Sequence, residues 1–195
     1  LGSSNWGSSS KETLISGNTF DGSSIWVGGG SGVLKIENNK IVSSGNDAVI
    51  VSGNVQTGSK ISGNTIAYNS GNGIKLTSGS GVVQNNTIVN NTGDKAVWIT
   101  TSGWTLTDNN IEGNAGSYSV YYDVDSGSDL TATGNWWGTS SESGISALIY
   151  DFDDNITKSA VNFSSYLTAP ISEAPPSPPA NLAGQAGPTT MQLSW

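Results

Sequence analysis

The chain has 195 residues, 34% of them hydrophobic and only 11% charged, with a net charge of −8. Fifteen acids face seven basic residues, all lysine, so no basic stripe exists to displace counterions from phosphates; nucleic acid is not expected as a partner, and anionic membrane surfaces are disfavoured. There is no cysteine for disulfides or thiolate metal sites, and no apolar run approaches the roughly 20 residues of a membrane span, so membrane insertion is not expected.

Gly (26) and Asn are both abundant, which suits a chain with many tight turns. Leu1-Gly-Ser-Ser4 lacks the pattern of a secretory signal and reads as the interior of a longer protein. From there a six-residue unit, apolar-x-x-Asn-x-apolar, recurs along the chain. It appears as Ile15-Ser-Gly-Asn18-Thr-Phe20, Ile36-Glu-Asn-Asn39-Lys-Ile41 and Ile61-Ser-Gly-Asn64-Thr-Ile66. It continues as Val83-Gln-Asn-Asn86-Thr-Ile88, Leu106-Thr-Asp-Asn109-Asn-Ile111 and Ala132-Thr-Gly-Asn135-Trp-Trp137. A second alternating strand follows each of the first five units: Ile25–Val27, Ala48–Ile50, Ile74–Leu76, Val97–Ile99 and Val120–Tyr122.

These segments are too short and too often broken by Gly-rich turns to be helices of βαβ units. A period of 21–26 residues therefore predicts one coil of a β-solenoid. The expected fold class is all-β: a β-solenoid of about six coils, with parallel strands stacked about 4.8 Å apart. Asn18, Asn39, Asn64, Asn86, Asn109 and Asn135 are expected to adopt left-handed turns and to hydrogen-bond from coil to coil as an amide ladder. The alternative is that each asparagine makes its own turn independently.

The end of the repeat carries the most specific pattern: Asn135-Trp136-Trp137-Gly138, Ile145, Ile149, Tyr150-Asp151, Val161-Asn-Phe163 and Tyr166-Leu167. With the repeat, this resembles the right-handed parallel β-helix superfamily that includes the pectate lyase-like proteins. It is similar to a closing segment of secreted microbial members, with Asn162 where Asp is usual and Ser165 where Pro is usual. The resemblance implies that Trp136, Trp137, Gly138 and Asp151 close the last coil rather than do chemistry, large rings covering an otherwise unpaired edge. The β-helix domain is thus placed at residues 1–171.

Residues 172–180 follow as a Pro-rich linker. Residues 181–195 resemble the first strands of a fibronectin type III domain, truncated at Trp195. The alternative for this segment is pairing with another subunit's strand edge.

Catalysis is not expected within the chain. The resemblance implies an Arg or Lys base beside calcium-binding acids in lyases, or grouped Asp with His and Arg in galacturonases, and His and Arg are absent here. Asp47, Asp94 and Glu37 are the acids available on successive strands, without matching partners one coil away. Asp123, Asp125 and Asp129, and Asp151, Asp153 and Asp154, leave calcium as the one conceivable cofactor, although neither group has the form of a calcium loop. Asn85, Asn90, Asn155 and Asn162 stand in N-x-Ser/Thr triplets.

An outward column of Trp26, Val49, Lys75, Trp98 and Tyr121 remains. Trp26, Trp98 and Tyr121 are the candidate contact surface, for a glycan, for a protein or for self-association. The expected function is a non-catalytic structural or adhesive module of a large secreted or cell-surface microbial protein, a surface layer or filament being one form of it. The alternative is a carbohydrate-binding or polysaccharide-degrading protein whose active coils lie elsewhere.

Overall fold

A computed structural model describes residues 11–125 and 127–178, together with the backbone of strands Ala183–Ala186 and Met191–Ser194. The first coil is β1 (Glu12–Ser16), β2 (Thr19–Asp21) and β3 (Ile25–Val27). The second is β4 (Val33–Glu37), β5 (Lys40–Val42) and β6 (Val49–Val51), and the third β7 (Ser59–Ser62), β8 (Thr65–Ala67) and β9 (Ile74–Leu76). The fourth is β10 (Gly81–Gln84), β11 (Thr87–Val89) and β12 (Lys95–Ile99), and the fifth β13 (Trp104–Thr107), β14 (Asn110–Glu112) and β15 (Tyr118–Tyr122). A closing turn of β16 (Leu130–Thr131), α1 (Glu142–Ser146), β17 (Ile149–Tyr150) and β18 (Val161–Asn162) follows. The expected six coils are therefore five regular coils of a right-handed parallel solenoid and one irregular closing turn.

Each coil adds one strand to each of three parallel sheets: β1-β4-β7-β10-β13, β2-β5-β8-β11-β14 and β3-β6-β9-β12-β15-β17. Period-two alternation sends Ile36, Ile61, Val83 and Leu106 of the first sheet inward, and Ile41, Ile66, Ile88 and Ile111 of the second. The third sheet contributes the first and third residues of each triplet, such as Ile74 and Leu76. All belong to one continuous core, and each aliphatic side chain removed from water contributes about 1.5–3 kcal/mol. A further pair, β19 (Ala183–Ala186) and β20 (Met191–Ser194), is antiparallel. Residues 1–10 of the expected β-helix domain, residues 179–182, and Trp195 lie outside the described residues.

The corner between the first and second sheets is invariant in length. It is Gly17-Asn18, Asn38-Asn39, Gly63-Asn64, Asn85-Asn86 and Asp108-Asn109 in the five coils. The left-handed conformation falls on the first residue of each pair (φ 69°, 55°, 63°, 53° and 56°), not on the ladder asparagine, which corrects the sequence expectation. The reason is geometric. A left-handed residue turns the chain there, and the next residue's side chain can then point along the stack.

That side chain is fully used. Asn39, Asn64, Asn86 and Asn109 each donate Nδ2 to the next coil's Asn Oδ1 at 3.0, 2.9, 2.9 and 3.0 Å. Each also donates to a core carbonyl of the coil before, of Ile15, Ile36, Ile61 and Val83 respectively. Asn18 begins the series at 3.2 Å from Asn39, and Asn135 ends it by donating to the Leu106 carbonyl.

A second ladder stands at the corner between the second and third sheets. Asn69 Nδ2 donates to Asn91 Oδ1 at 2.8 Å, and Asn91 Nδ2 to Asn114 Oδ1 at 3.0 Å. Ser44 caps it, donating its backbone N–H to Asn69 Oδ1. The coils approach so closely here that a Cβ on Gly93 would fall against the backbone of Gly71. Only glycine fits.

The last turn contributes buried side chains to the same core. Trp137 is 1% exposed and belongs to the same continuous core as Ile145, Ile149 and Val161. Trp136 joins Asn110 through a parallel bridge and donates its indole N–H to Glu112 at 2.9 Å. Gly138 turns with φ 79°, where a side chain would crowd Glu112. The Asp151 carboxylate accepts the N–H of Val161 at 2.6 Å and of Asp153 at 3.0 Å, shaping the loop before β18. Burial raises its pKa above the usual carboxylate value, against the lowering effect of those two bonds.

Lys158 clasps this loop to the turn after β15, with Nζ 2.6 Å from both Asp123 and Asp125. Hydrogen bonds donated to the two carboxylates raise the lysine's pKa, so the lysine stays charged through neutral pH and loses its charge only as pH rises through that elevated value. Lys158→Met is expected to speed amide exchange at Gly127 and Ser159, which bond each other across the clasp, while Ile88 and Ile111 stay protected. Unchanged exchange at Gly127 would show the ion pairs to be ornamental.

Candidate functional site

In each third-sheet strand the residue after the first inward-facing member of the triplet points away from the core. Strand register places Trp26, Ile50, Lys75, Trp98, Tyr121 and Tyr150 in one row on this outer face. Five coil spacings make the row about 24 Å long. Ile50 occupies the place expected for Val49. The strand is Val49–Val51, one residue later than the sequence pattern suggested, and Val49 lies in the core. A run of four apolar residues, Ala48 to Val51, offers two registers, and pairing with Ile74 and Leu76 selects this one.

The three candidate contact residues fall into two settings. Trp98 and Tyr121 meet edge to face at 6.5 Å, and Tyr121 stacks on Tyr150 at 4.1 Å between nearly parallel rings. Tyr118 packs edge-on against both tyrosines. Lys75 stands 4.1 Å over the Trp98 ring, and Lys95 lies within 5.1 Å of Trp98 and 4.8 Å of Tyr121. These cation–π contacts turn the Trp98 face inward upon its own neighbours. Burial, then hydrogen bonding with Tyr150, raises the Tyr121 phenol's pKa.

Trp26 stands apart, with Ile50 and Lys75 between it and Trp98. Its side of the row is open: the residue is 54% exposed, its ring lies close over Gly28, and its indole N–H donates to Ser52 at 3.1 Å. Beside it is an open recess of about 480 Å³ whose walls include Asn46, Asp47 and Ile50. Asp47 spends one oxygen on the N–H and side-chain amide of Asn72 and holds the other 4.0 Å from Lys75.

A family model described as "right handed beta helix region" matches residues 4–159. The chain belongs to the right-handed β-helix family. Comparison with curated proteins and with solved structures finds no match.

In this β-helix the acids available on successive strands, Asp47, Asp94 and Glu37, do not converge. Glu37 ends β4 in the first sheet and accepts from Ser62, while Asp47 precedes β6 in the third. The residues bonded in sequence above Asp47 are Asn72 and then Lys95, whose N–H donates to Asn72 Oδ1, so no carboxylate faces Asp47 one coil away. Asp94 projects into solvent beside Lys95. Of the acids considered for calcium, Asp123 and Asp125 are held by Lys158, Asp129 accepts the Ala160 N–H, and Asp151 is committed to backbone. Among the described residues no group of three or more potential ligands is placed to hold an ion.

Proposed function

We propose that this β-helix is a non-catalytic structural and adhesive module of a large extracellular protein, and that it meets its partner through the outer face of the third sheet. The observation that supports this most directly is the row from Trp26 to Tyr150, where aromatic side chains on a stiff scaffold offer contact area at little entropic cost. Kinship with the pectate lyase-like members rests on the Asn135–Gly138 segment and its packing over the core. The reading of residues 181–195 as the opening of a fibronectin type III module rests on their sequence. Such a module would make this rod one link in a string of domains.

A second reading, carbohydrate binding, is favoured by one feature. Trp26 presents an exposed ring beside a recess with the side chains of Asn46 and Asp47, which suits a sugar's apolar face and its hydroxyls together.

One experiment covers both readings. The full chain, Trp26→Ala and Trp98→Ala are applied to immobilised neutral polysaccharides and cell-surface proteins. Adhesion through this face expects capture by one class, weakened about tenfold in Trp26→Ala with the β-sheet circular dichroism unchanged. Capture by sugars selects the second reading. Equal capture by wild type and Trp26→Ala overturns the choice of face, and release of sugar products overturns the non-catalytic assignment.

A further inference from the structure

The Pro-rich segment does not simply leave the solenoid. Leu167 closes the final turn by donating its N–H to the Asn135 carbonyl. Thr168, Ala169 and Pro170 are exposed, and the chain then folds back over the outer face of the second sheet. Asn110 in the fifth coil holds Ile171 twice, accepting its N–H at 2.7 Å and donating to its carbonyl at 3.1 Å. Thr87 in the fourth coil donates to the Pro175 carbonyl, and Tyr68 in the third to the Pro178 carbonyl at 3.2 Å. Between these anchors Ala174 is 5% exposed. On the same outer face Val42, Ala67 and Val89 form a small apolar cluster of their own.

Three properties of this strap bear on what else can occupy its place. The hydrogen bonds of Asn110, Thr87 and Tyr68 are all to strap backbone, so any strap of the same sequence makes them equally well. Pro175, Pro176 and Pro178 stiffen the segment, so docking it costs little conformational entropy. The arm of three exposed residues that joins it to the last coil is a short hinge, the situation in which an element passes between identical chains at low cost.

We propose that the strap is exchangeable: residues 171–178 of one copy dock on the second-sheet face of another, linking two β-helices side by side. The occupant is a second copy of this chain, because only it supplies the same carbonyl spacing at the end of the same hinge. Within one chain the strap's high effective concentration favours the closed form, so exchange grows with protein concentration.

The test is complementation between two full-length variants. Ala174→Glu places a charged side chain where there is no room, freeing the strap and leaving its face open. Thr87→Val with Asn110→Ala keeps the strap and disables the face. Each alone is expected to run as a monomer in light scattering after size exclusion, and their mixture to give a species of twice the mass. A mixture that stays monomeric, or Ala174→Glu alone dimerising as strongly, overturns the proposal. Should Ala174→Glu disturb the fold, excess synthetic peptide 168–178 is added to the wild-type chain. Exchange then expects the Ile171 amide to lose protection as peptide rises, while Ile88 and Ile111 keep theirs. Constant protection of Ile171 overturns it.

Discussion

Asn86→Ala is expected to cost on the order of 4 kcal/mol, more than any single outward-facing substitution on the rod. Its amide donates to Asn109 Oδ1 at 2.9 Å, to the Ile61 carbonyl at 2.8 Å and to the Gln84 carbonyl at 2.9 Å. Its oxygen accepts both the backbone and side-chain N–H of Asn64, each at 2.9 Å. Alanine strands these buried groups, and each stranded group costs about 1–3 kcal/mol. At the open end of the ladder the cost falls, because Asn18 is exposed and water takes over: Asn18→Ala is expected to lose under about 1 kcal/mol. Urea midpoints for Asn18→Ala and Asn86→Ala read the difference directly. Equal midpoints would mean that the ladder contributes nothing beyond ordinary turns.

Trp137→Ala is expected to destabilise by about 3–5 kcal/mol, and also to change the protein's behaviour in solution. The ring is fully buried in the core of the last turn, and its loss opens a cavity there. It also loosens the cover over strand edges that can pair with other chains. Dye binding and light scattering should therefore rise in the alanine variant before the unfolding midpoint is reached. Trp137→Phe separates packing from polarity. The indole N–H is buried with no acceptor among the described residues, so phenylalanine should recover most of the loss. A phenylalanine variant as unstable as alanine would contradict that account.

The repeat was legible because its signal is redundant. A buried apolar pair brackets the same asparagine, and each inward side chain stacks on a like one, as Ile36 does on Ile61. What escaped was carried by single residues or by distance along the chain. The second ladder has its own spacing, Ile66 to Asn69, Ile88 to Asn91 and Ile111 to Asn114, an apolar residue followed three later by Asn. Serine at position 44 breaks the pattern in one coil and obscures it. At Ala48–Val51 four apolar residues in a row erased the period-two signal, and only pairing across coils fixed which of them face inward.

The contact row was legible in type but not in setting. Nothing local to Trp98 tells that Lys75, a coil away, covers its ring. The strap was the least visible, since proline and serine in a row describe an extended chain and say nothing of what it lies upon. Its anchors, Asn110 and Thr87, are separated from it by 61 and 88 residues.

The three corners of the coil divide the labour of variation unequally. Between the first and second sheets the connection never departs from two residues, held by the longer ladder. The other two corners range from the three residues of Gly22–Ser24 to the seven of Ser52–Gly58. Lengthening a surface loop costs little, about 0.6 kcal/mol for each doubling, whereas a residue added at the invariant corner would break the asparagine's place in the ladder and put the adjoining strand out of register with its neighbours. The first corner is thus a datum edge from which all coils are measured. Insertions at the other two leave that measure unchanged, so the rod can acquire new surface loops coil by coil without altering its pitch or its core.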